Sequence, residues 1–158
     1  MTPPTVMIAE DGDEYLETLG RMGGEFSWLQ AKSARVAVEL VGRHPVTCAV
    51  LDMRFDRVAR GDLAGDFTAA LRQVGGDSER AWRYLAQHQG LFVLAALRAA
   101  GWRGPGLIAY DFTRELRRFE ALRSQYAPLD WIGDDATAAA WRKKLAAACG
   151  IATEEVLS

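Results

Sequence analysis

The decapeptide CAVLDMRFDR, from Cys48 to Arg57, decides the fold of this chain. Its apolar residues run from Cys48 through Leu51, as in a strand that is buried on both faces of a sheet. Asp52 follows at the point where such a strand must end, and the charged residues beyond it indicate a loop. A carboxylate in that place is a candidate phosphate acceptor, a candidate metal ligand, or only an acidic residue at a loop entrance.

Short apolar segments alternate with segments of helical periodicity along the chain. The strand segments are TVMIA (5–9), FSWLQA (26–31), TCAVLD (47–52), GLIAYD (106–111) and LDWIG (129–133). The intervening helical segments, such as SARVAVELVGRHP (33–45), repeat apolar residues three and four positions apart. This alternation predicts an α/β protein whose parallel sheet is covered by helices on both faces. We expect a flavodoxin-like, doubly wound, five-stranded parallel sheet with the strand order 2-1-3-4-5.

Composition restricts the chain to one ordinary globular domain. It has 158 residues, of which 49% are hydrophobic and 25% are charged, and its formal net charge is -2. This acidic balance argues against nucleic-acid binding, which needs positive charge to neutralise phosphates. No apolar run approaches the roughly 20 residues that cross a bilayer, and the N-terminus lacks a signal-like segment. We therefore expect a cytoplasmic protein with no nucleic-acid and no membrane partner.

Carboxylates end two neighbouring strands of the predicted sheet. Glu10 and Asp11 follow the first strand, and Asp52 ends the third. Because the carboxyl ends of parallel strands meet at one edge, these three side chains should share the crevice at the switch point of the sheet. Like charges at close range are costly unless a cation or a proton offsets them. Carboxylate oxygens are ligands that Mg²⁺ accepts, so Mg²⁺ is a candidate occupant of this crevice.

The ordered set of these segments resembles the receiver domain of bacterial two-component response regulators. VMIAEDGDEY (6–15) is similar to the first receiver strand with its acidic pair, and AVLDMRF (49–55) is similar to the phosphoacceptor strand. GLFVLAALRAAGWRGPGLIAYD (90–111) resembles the third receiver helix and fourth strand, and LDWIGDDATAAAWRKKL (129–145) resembles the fifth strand and last helix. The resemblance implies Asp52 as the phosphoacceptor. It implies Glu10, Asp11, Asp52 and the main-chain carbonyl of Arg54 as the contacts of Mg²⁺.

Two departures from the receiver pattern fall on the positions that handle the phosphoryl group. Receivers carry a small hydroxyl residue at the end of strand 4, where this chain has Tyr110, and a lysine at the end of strand 5, where it has Asp134. A tyrosine hydroxyl lies too far from its Cα to replace a serine hydroxyl. An anion beside a phosphoaspartate reverses the sign of a strong short-range interaction. Trp131 occupies the place of the aromatic switch residue, and we expect a fixed anchor there.

A third departure is an insertion at residues 57–89, where receivers have only a handful of residues before the third helix. DFTAALRQV (66–74) and DSERAWRYLAQHQ (77–89) are predicted as two short helices, the second continuing through Gly90 into the following helix. Loops of this length in a compact domain are typically functional or disordered. The open alternatives are that the insertion covers the crevice, dimerises the domain, docks a partner, or only packs on the surface.

A basic segment is the second candidate partner surface. RELRRFEALR (114–123) has the pattern of an amphipathic helix. In receivers, the face formed by strand 4, this helix and strand 5 binds effectors or a second copy. The residues predicted to contact a partner are Arg114, Arg117 and Arg118 of this segment and Trp82 of the insertion.

The function that these residues favour is that of a pseudo-receiver. This is an atypical receiver at residues 1–150 that requires no cofactor, is not an enzyme, and acts through protein–protein interactions in bacterial signal transduction. The alternative is a Mg²⁺-dependent receiver that a histidine kinase phosphorylates on Asp52. A metal-dependent phosphohydrolase is a third hypothesis, but no general acid or substrate-gripping lysine is evident in these motifs.

Candidate partners are a histidine kinase, an effector domain and a second copy of the chain. The polar residues 151–158 have the composition of a tail or of a linker to such an effector domain. The pseudo-receiver hypothesis depends on one electrostatic condition. A basic side chain that reached the crevice from elsewhere, such as Arg54 or Arg57, would supply the charge that the missing lysine no longer provides.

Overall fold

The computed structural model describes residues 2–22 and 24–151, so the predicted tail lies outside the described residues except for Ile151. Within them, one sheet contains the strands β1 (Thr5–Ala9), β2 (Ser27–Ala31), β3 (Val46–Asp52), β4 (Gly106–Ala109) and β5 (Leu129–Ile132). All pairings are parallel, and the order β2-β1-β3-β4-β5 confirms the predicted flavodoxin-like sheet. Strand β4 ends two residues earlier than predicted, which leaves Tyr110 and Asp111 in the loop that follows.

The described helices are α1 (Glu14–Leu19), α2 (Ala34–Arg43), α3 (Phe67–Gln73), α4 (Ser78–Gln87), α5 (Gln89–Ala99), α6 (Leu116–Tyr126) and α7 (Ala138–Cys149). Four of them begin at a side chain that accepts a hydrogen bond from a main-chain N–H of the first turn, as strong N-cap residues do. These caps are Ser33, Asp66, Asp77 and Thr137. None of the described helices is both long enough and apolar enough to cross a membrane.

The two faces of the sheet carry separate cores because successive strand residues point to opposite sides. In β3, Leu51 packs with residues of α2, α5 and α6 on one face. Val50 packs with residues of α1 and α7, among them Trp141, on the other face. Both β3 residues are fully buried, as the apolar run before Asp52 predicts. A rigid sheet covered on both sides therefore presents Asp52 at its carboxyl edge.

The insertion forms a third, smaller core of its own. Ala70 of α3 and Ala81 and Leu85 of α4 are buried there. The ring of Phe67 stacks on Trp82, with ring centroids 4.4 Å apart. The two short helices predicted in the insertion are thus both present, and they pack mainly on each other.

The predicted continuation of α4 into α5 is wrong, because the helix breaks at His88 (φ -122°, ψ 19°). In a continuous helix, Gly90 N–H would donate to the carbonyl of Ala86, but both groups bond instead to the residues that follow β3. Phe55 N–H donates to the carbonyl of Ala86 at 2.9 Å, and Gly90 N–H donates to the carbonyl of Met53 at 3.1 Å. The end of β3 therefore joins α4 and α5 where a single helix was expected.

The basic helix α6 begins later than predicted, at Leu116, and leaves Arg114 in the preceding turn. Asp111 accepts a hydrogen bond from Thr113 N–H at 2.9 Å, and Glu115 N–H donates to the carbonyl of Phe112 at 2.8 Å. These two local bonds hold the turn before α6 and delay the start of the helix.

Candidate functional site

A cleft of about 490 Å³ opens at the carboxyl edge of the sheet. Five acidic residues line it, namely Asp11, Glu14, Asp52, Asp56 and Asp134. Two arginines, Arg54 and Arg57, line it as well. The structure thus brings Asp11, Asp52, Arg54 and Asp134 to one site, as the strand ends and the receiver resemblance predict. Carboxylates outnumber cations around the cleft, so its potential is negative.

Asp52 is half-buried at the floor of this cleft. Burial raises the pKa of its carboxyl group to about 7, and the negative charges of Asp11 and Glu10 add to this effect. Main-chain N–H groups of Arg54 and Met53 act in the opposite direction by hydrogen bonding to the carboxylate. Near neutral pH, a large share of Asp52 is therefore protonated unless a cation offsets the surrounding charge.

Glu10 is almost completely buried, with 1% of its surface exposed. Its two carboxylate oxygens accept hydrogen bonds from the main-chain N–H groups of Tyr15 and Leu16, each at 2.9 Å. Gln30 donates a further bond at 3.3 Å. Glu10 therefore stabilises the first turn of α1, where a negative charge is favourable. Its predicted role as a metal ligand stays a prediction, and this orientation does not favour it.

Asp11 is held by the first residue of the insertion. The main-chain N–H of Arg57 donates to Asp11 Oδ2, and the Arg57 guanidinium pairs with Glu14 at 2.7 and 3.3 Å. A Cβ at position 12 would overlap the ends of the Arg57 and Glu14 side chains, so Gly12 lets this pair lie directly against the main chain. The pair lowers the pKa of Glu14 to about 2. The positive charge of Arg57 is thereby matched by its neighbour at the rim.

Basic side chains do reach the cleft, which qualifies the expectation that Asp52 lacks a positive counterweight. Arg57 is committed to Glu14, whereas Arg54 is exposed and has no ion pair within residues 2–22 and 24–151. At the strand-5 position, where receivers have lysine, Asp134 contributes a negative charge to the cleft. The strand-5 position therefore provides no positive charge for Asp52. In the described part of the chain, Arg54 is the one candidate to provide it instead.

The Tyr110 hydroxyl does not line the cleft. It donates a hydrogen bond of 2.5 Å to Glu115, which also pairs with Arg118 at 2.9 Å. The bond to Glu115 raises the pKa of Tyr110 above its ordinary value. Tyr110 therefore ties the end of β4 to the start of α6, and its hydroxyl belongs to this network.

Trp131 is half-buried on β5. Its ring meets Phe112 and Phe119 edge-on, with centroids 6.0 and 6.5 Å away. Phe112 is fully buried, and its ring also meets that of Tyr110, with the two ring centroids 4.8 Å apart. This aromatic cluster supports the prediction of a fixed anchor, and a switching role of Trp131 stays a prediction.

The residues predicted to bind a partner lie on two separate surfaces. Arg114 and Arg117 are exposed, and Leu116 between them has 55% of its surface exposed. Arg118 is half-buried because it pairs with Glu115. In the insertion, Trp82 lies under the Arg60 guanidinium, which is 5.8 Å from its ring centroid, and it does not line the acidic cleft.

Two residues that shape the site were missed in the sequence. Gln89 is fully buried, and its side chain binds the main chain of Ala64 and Leu85. Gly90 approaches so closely that a Cβ there would lie 2.6 Å from the Asp52 carbonyl oxygen. A glycine directly after Gln89, where the insertion ends, indicates that another segment packs closely against the main chain there. Only the structure shows that this segment is the end of β3.

The donor set of the cleft fits a Mg²⁺ ion of the kind that proteins bind with few side chains. Asp11 and Asp52 supply hard carboxylate oxygens, and Arg54 lines the same cleft. Within the described residues, no three His, Cys, Asp or Glu side chains converge closely enough to hold an ion by themselves. Mg²⁺ often takes only one or two carboxylates from a protein and keeps several waters, so these residues are compatible with such an ion.

No family model and no curated protein matches the sequence. Solved structures do match it. The receiver domain of the Francisella response regulator 1452 is 13% identical, with a TM-score of 0.62 over 93% of this chain and 97% of that chain. The fold is that of a CheY-like receiver domain. At this level of identity, the likeness shows the receiver fold alone.

Two further matches differ in what their names describe. The receiver domain of the sensor histidine kinase PA1611 from Pseudomonas aeruginosa PAO1 has a magnesium ion coordinated in its active site cleft. It is 13% identical, with a TM-score of 0.59 over 94% of this chain and 98% of that chain. An adenylate cyclase from Rhodopirellula baltica is also 13% identical, with a TM-score of 0.63 over 94% of this chain and 88% of that chain. Proteins of different activity thus share the receiver fold.

Proposed function

We propose that this chain is an atypical receiver, a pseudo-receiver that serves bacterial signal transduction as a phosphorylation-independent protein-interaction module. The observation that carries the proposal is the position of Asp134. It places a carboxylate in the cleft of Asp52, at the position where receivers present a lysine ammonium. The receiver fold supports a two-component signalling role, and the altered cleft supports a signal other than phosphate.

The negative charge of the cleft is the physical reason to expect no phosphorylation of Asp52. A phosphoryl group on Asp52 would add about two negative charges to a cleft that Asp11, Glu14, Asp56 and Asp134 already line. Phosphoryl transfer relies mostly on positioning and on stabilisation of charge. The hydroxyl that receivers use at the end of strand 4 is also lacking, because Tyr110 donates its hydrogen bond to Glu115.

The surface proposed for partners is the exposed side of α6 with the turn before it. Arg114 and Arg117 flank the exposed Leu116, so a positive rim surrounds an apolar side chain. Arginine is enriched in protein interfaces, and a lone exposed leucine gives such a surface an apolar contact. An acidic surface of a histidine kinase, of an effector domain or of a second copy would complement it. Trp82 on the insertion is a second, separate contact.

A Mg²⁺-dependent receiver phosphorylated on Asp52 is the alternative, and one observation favours it. Arg54 is exposed at the cleft and, within the described residues, has no ion pair that commits its guanidinium. It could therefore pair with a phosphoryl group. Because Asp134 stays in the cleft in either case, the charge balance favours the pseudo-receiver. A hydrolytic function has no supporting group, since no histidine or lysine lines the cleft among the described residues.

Incubation with a small-molecule phosphodonor and Mg²⁺, followed by intact mass measurement, tests the proposal. The unmodified chain should gain no phosphoryl group. The variant Tyr110→Thr/Asp134→Lys restores both receiver side chains and serves as the positive control, which should gain one. Incorporation of one base-labile phosphoryl group into the unmodified chain, and its loss in Asp52→Asn, would establish the alternative.

Site-specific photo-crosslinking tests the partner surface. A photoreactive residue at position 117 should give a discrete adduct in cells of the source organism, and the same residue at position 35 on α2, also exposed, should give none. The adduct should persist when Asp52→Asn is combined with position 117. If Asp52→Asn abolishes the adduct, partner binding depends on that carboxylate and the phosphorylation-independent proposal fails.

A further inference from the structure

The insertion is fastened to the acidic cleft through its first residue. Arg57 N–H donates to Asp11 Oδ2, and the Arg57 guanidinium pairs with Glu14 on α1. This pair lies directly over Gly12, where a Cβ would meet the ends of the Arg57 and Glu14 side chains. The root of the insertion and one of the candidate Mg²⁺ ligands therefore share a hydrogen bond.

A buried polar contact fixes the same loop at its other end. The Gln89 side-chain oxygen accepts from Ala64 N–H at 2.9 Å, and its amide nitrogen donates to the carbonyls of Ala64 and Leu85 at 2.8 and 2.9 Å. Gln89 is fully buried, so these bonds are shielded from water and costly to lose. The loop between Arg57 and Ala64 is thus held at both ends, at Asp11 and at Gln89.

The bond to Arg57 leaves Asp11 in a state suited to a metal ion. It uses Oδ2, and within residues 2–22 and 24–151 no hydrogen bond is made to Oδ1. Carboxylates that bind metals are commonly oriented by a hydrogen bond to the oxygen that does not ligate. From this geometry we infer that the insertion orients Asp11 for a divalent cation, so that cation binding in the cleft and attachment of the loop 57–64 stabilise each other.

The coupling between cation binding and attachment of the loop 57–64 must act in both directions. If the attached loop raises the affinity of the cleft for the cation, the bound cation stabilises the attached loop by the same factor. The insertion would then report occupancy of the cleft at its own surface, where Trp82 and Arg60 lie. This inference goes beyond the proposed function, because it holds whether or not Asp52 accepts a phosphoryl group.

Calorimetric titration of the full chain with MgCl₂ tests the first direction. The variant Gln89→Leu removes the buried clamp without touching a residue of the cleft, and we expect it to weaken Mg²⁺ binding about 5- to 10-fold. Gln87→Leu makes the same chemical change at an exposed position two residues away and should leave the affinity unchanged. Equal affinity of the unmodified chain and a folded Gln89→Leu variant would overturn the inference, as would the absence of any Mg²⁺ binding.

Hydrogen exchange of the main-chain amides tests the second direction. Addition of Mg²⁺ should slow exchange in residues 57–64 of the unmodified chain and should have no effect on them in Asp11→Asn. Arg57→Ala keeps the main-chain N–H, so the protection should persist in that variant. Unchanged or faster exchange of the loop in the presence of Mg²⁺ would overturn the inference. Loss of protection in Arg57→Ala would overturn it as well, because the guanidinium, and not the amide that binds Asp11, would then make the link. Neither result would alter the phosphodonor test of the proposed function.

Discussion

The two sides of the acidic cleft depart from the receiver pattern to very different extents. On the side of β1 and β3, Asp11 and Asp52 remain at the cleft, and the insertion holds the segment that follows Asp52. On the side of β4 and β5, Asp134 stands at the lysine position and the Tyr110 hydroxyl binds Glu115. The residues that we propose for a cation are kept, whereas the positions at which receivers bind the phosphoryl group are changed.

This difference has a simple physical basis. A divalent cation needs only oxygen ligands and a negative potential, and the carboxylates around the cleft supply both. A phosphoryl group needs fixed donors and a positive charge, which Asp134 and Tyr110 do not provide. Because different strands supply the two sets of residues, one set can change in a receiver fold while the other is kept.

The largest effect is expected on the β3 side, where the start of α5, directly after the insertion, meets the end of β3. In Gly90→Ala, the new Cβ would lie 2.6 Å from the Asp52 carbonyl oxygen, which belongs to the backbone and cannot turn aside. We expect a loss of about 2–3 kcal/mol in the free energy of unfolding, measured by urea denaturation.

Gly42→Ala is the matched control for this prediction, because nothing lies within 4 Å of a Cβ at that position of α2. It should be neutral or stabilising by up to about 1 kcal/mol, through the higher helix propensity of alanine. Equal stability of the two variants would show that the start of α5 does not pack tightly against the end of β3.

A smaller effect is expected from Asp52→Asn, and it should depend on pH. The folded-state pKa of Asp52 is raised from 3.8 to about 7, so the folded protein loses stability relative to the variant as pH rises through this interval. After allowance for partial exposure, the variant should be about 1–2 kcal/mol more stable at about pH 8 and nearly equal below about pH 4. Urea denaturation across this pH range measures it.

Addition of Mg²⁺ should reduce this stability difference, because a bound cation offsets the charge of Asp52. The advantage of Asp52→Asn at about pH 8 should shrink or reverse when Mg²⁺ is added. A stability difference that does not vary with pH would mean that Asp52 keeps an ordinary pKa and that the cleft is less negative than the structure indicates.

The smallest effect is expected on the β4 side. Tyr110→Phe removes the hydrogen bond to Glu115 and should cost about 1 kcal/mol in the free energy of unfolding. Tyr126→Phe is the control, since no hydrogen bond to the Tyr126 hydroxyl is made within the described residues, and it should cost less than about 0.5 kcal/mol. If the two variants are equally stable, Tyr110 does not hold the loop before α6.

The parts of the structure that follow from local pattern could be predicted from the sequence. The alternation of apolar and helical segments predicts the parallel sheet and its strand order, and the acidic residues at the strand ends predict the shared cleft. The parts that depend on contacts between distant segments could not. Glu10 turns to the first turn of α1 because the N–H groups there need an acceptor.

Competition for main-chain hydrogen bonds explains the remaining differences. The helix predicted through Gly90 breaks because the exit of β3 takes the bonds of Ala86 and Gly90. Asp11 meets Arg57 across 46 positions of sequence, which no local pattern reports. The receiver resemblance pointed to Asp11, Asp52 and Asp134, which line the cleft, and to Glu10 and Tyr110, which do not. The hydrogen-bond partner of each side chain came only from the three-dimensional arrangement.

Two-dimensional amide NMR tests the central difference between the two sides of the cleft most directly. The chain is titrated first with Mg²⁺ and then with beryllofluoride, a mimic of the phosphoryl group. We predict that Mg²⁺ alone shifts the signals of Asp11, Asp52 and the loop 57–64, and that beryllofluoride then changes nothing at Tyr110, Trp131 or α6. A further set of shifts at those residues, absent in Asp52→Asn, would contradict the account and identify the chain as a receiver that still responds to phosphate.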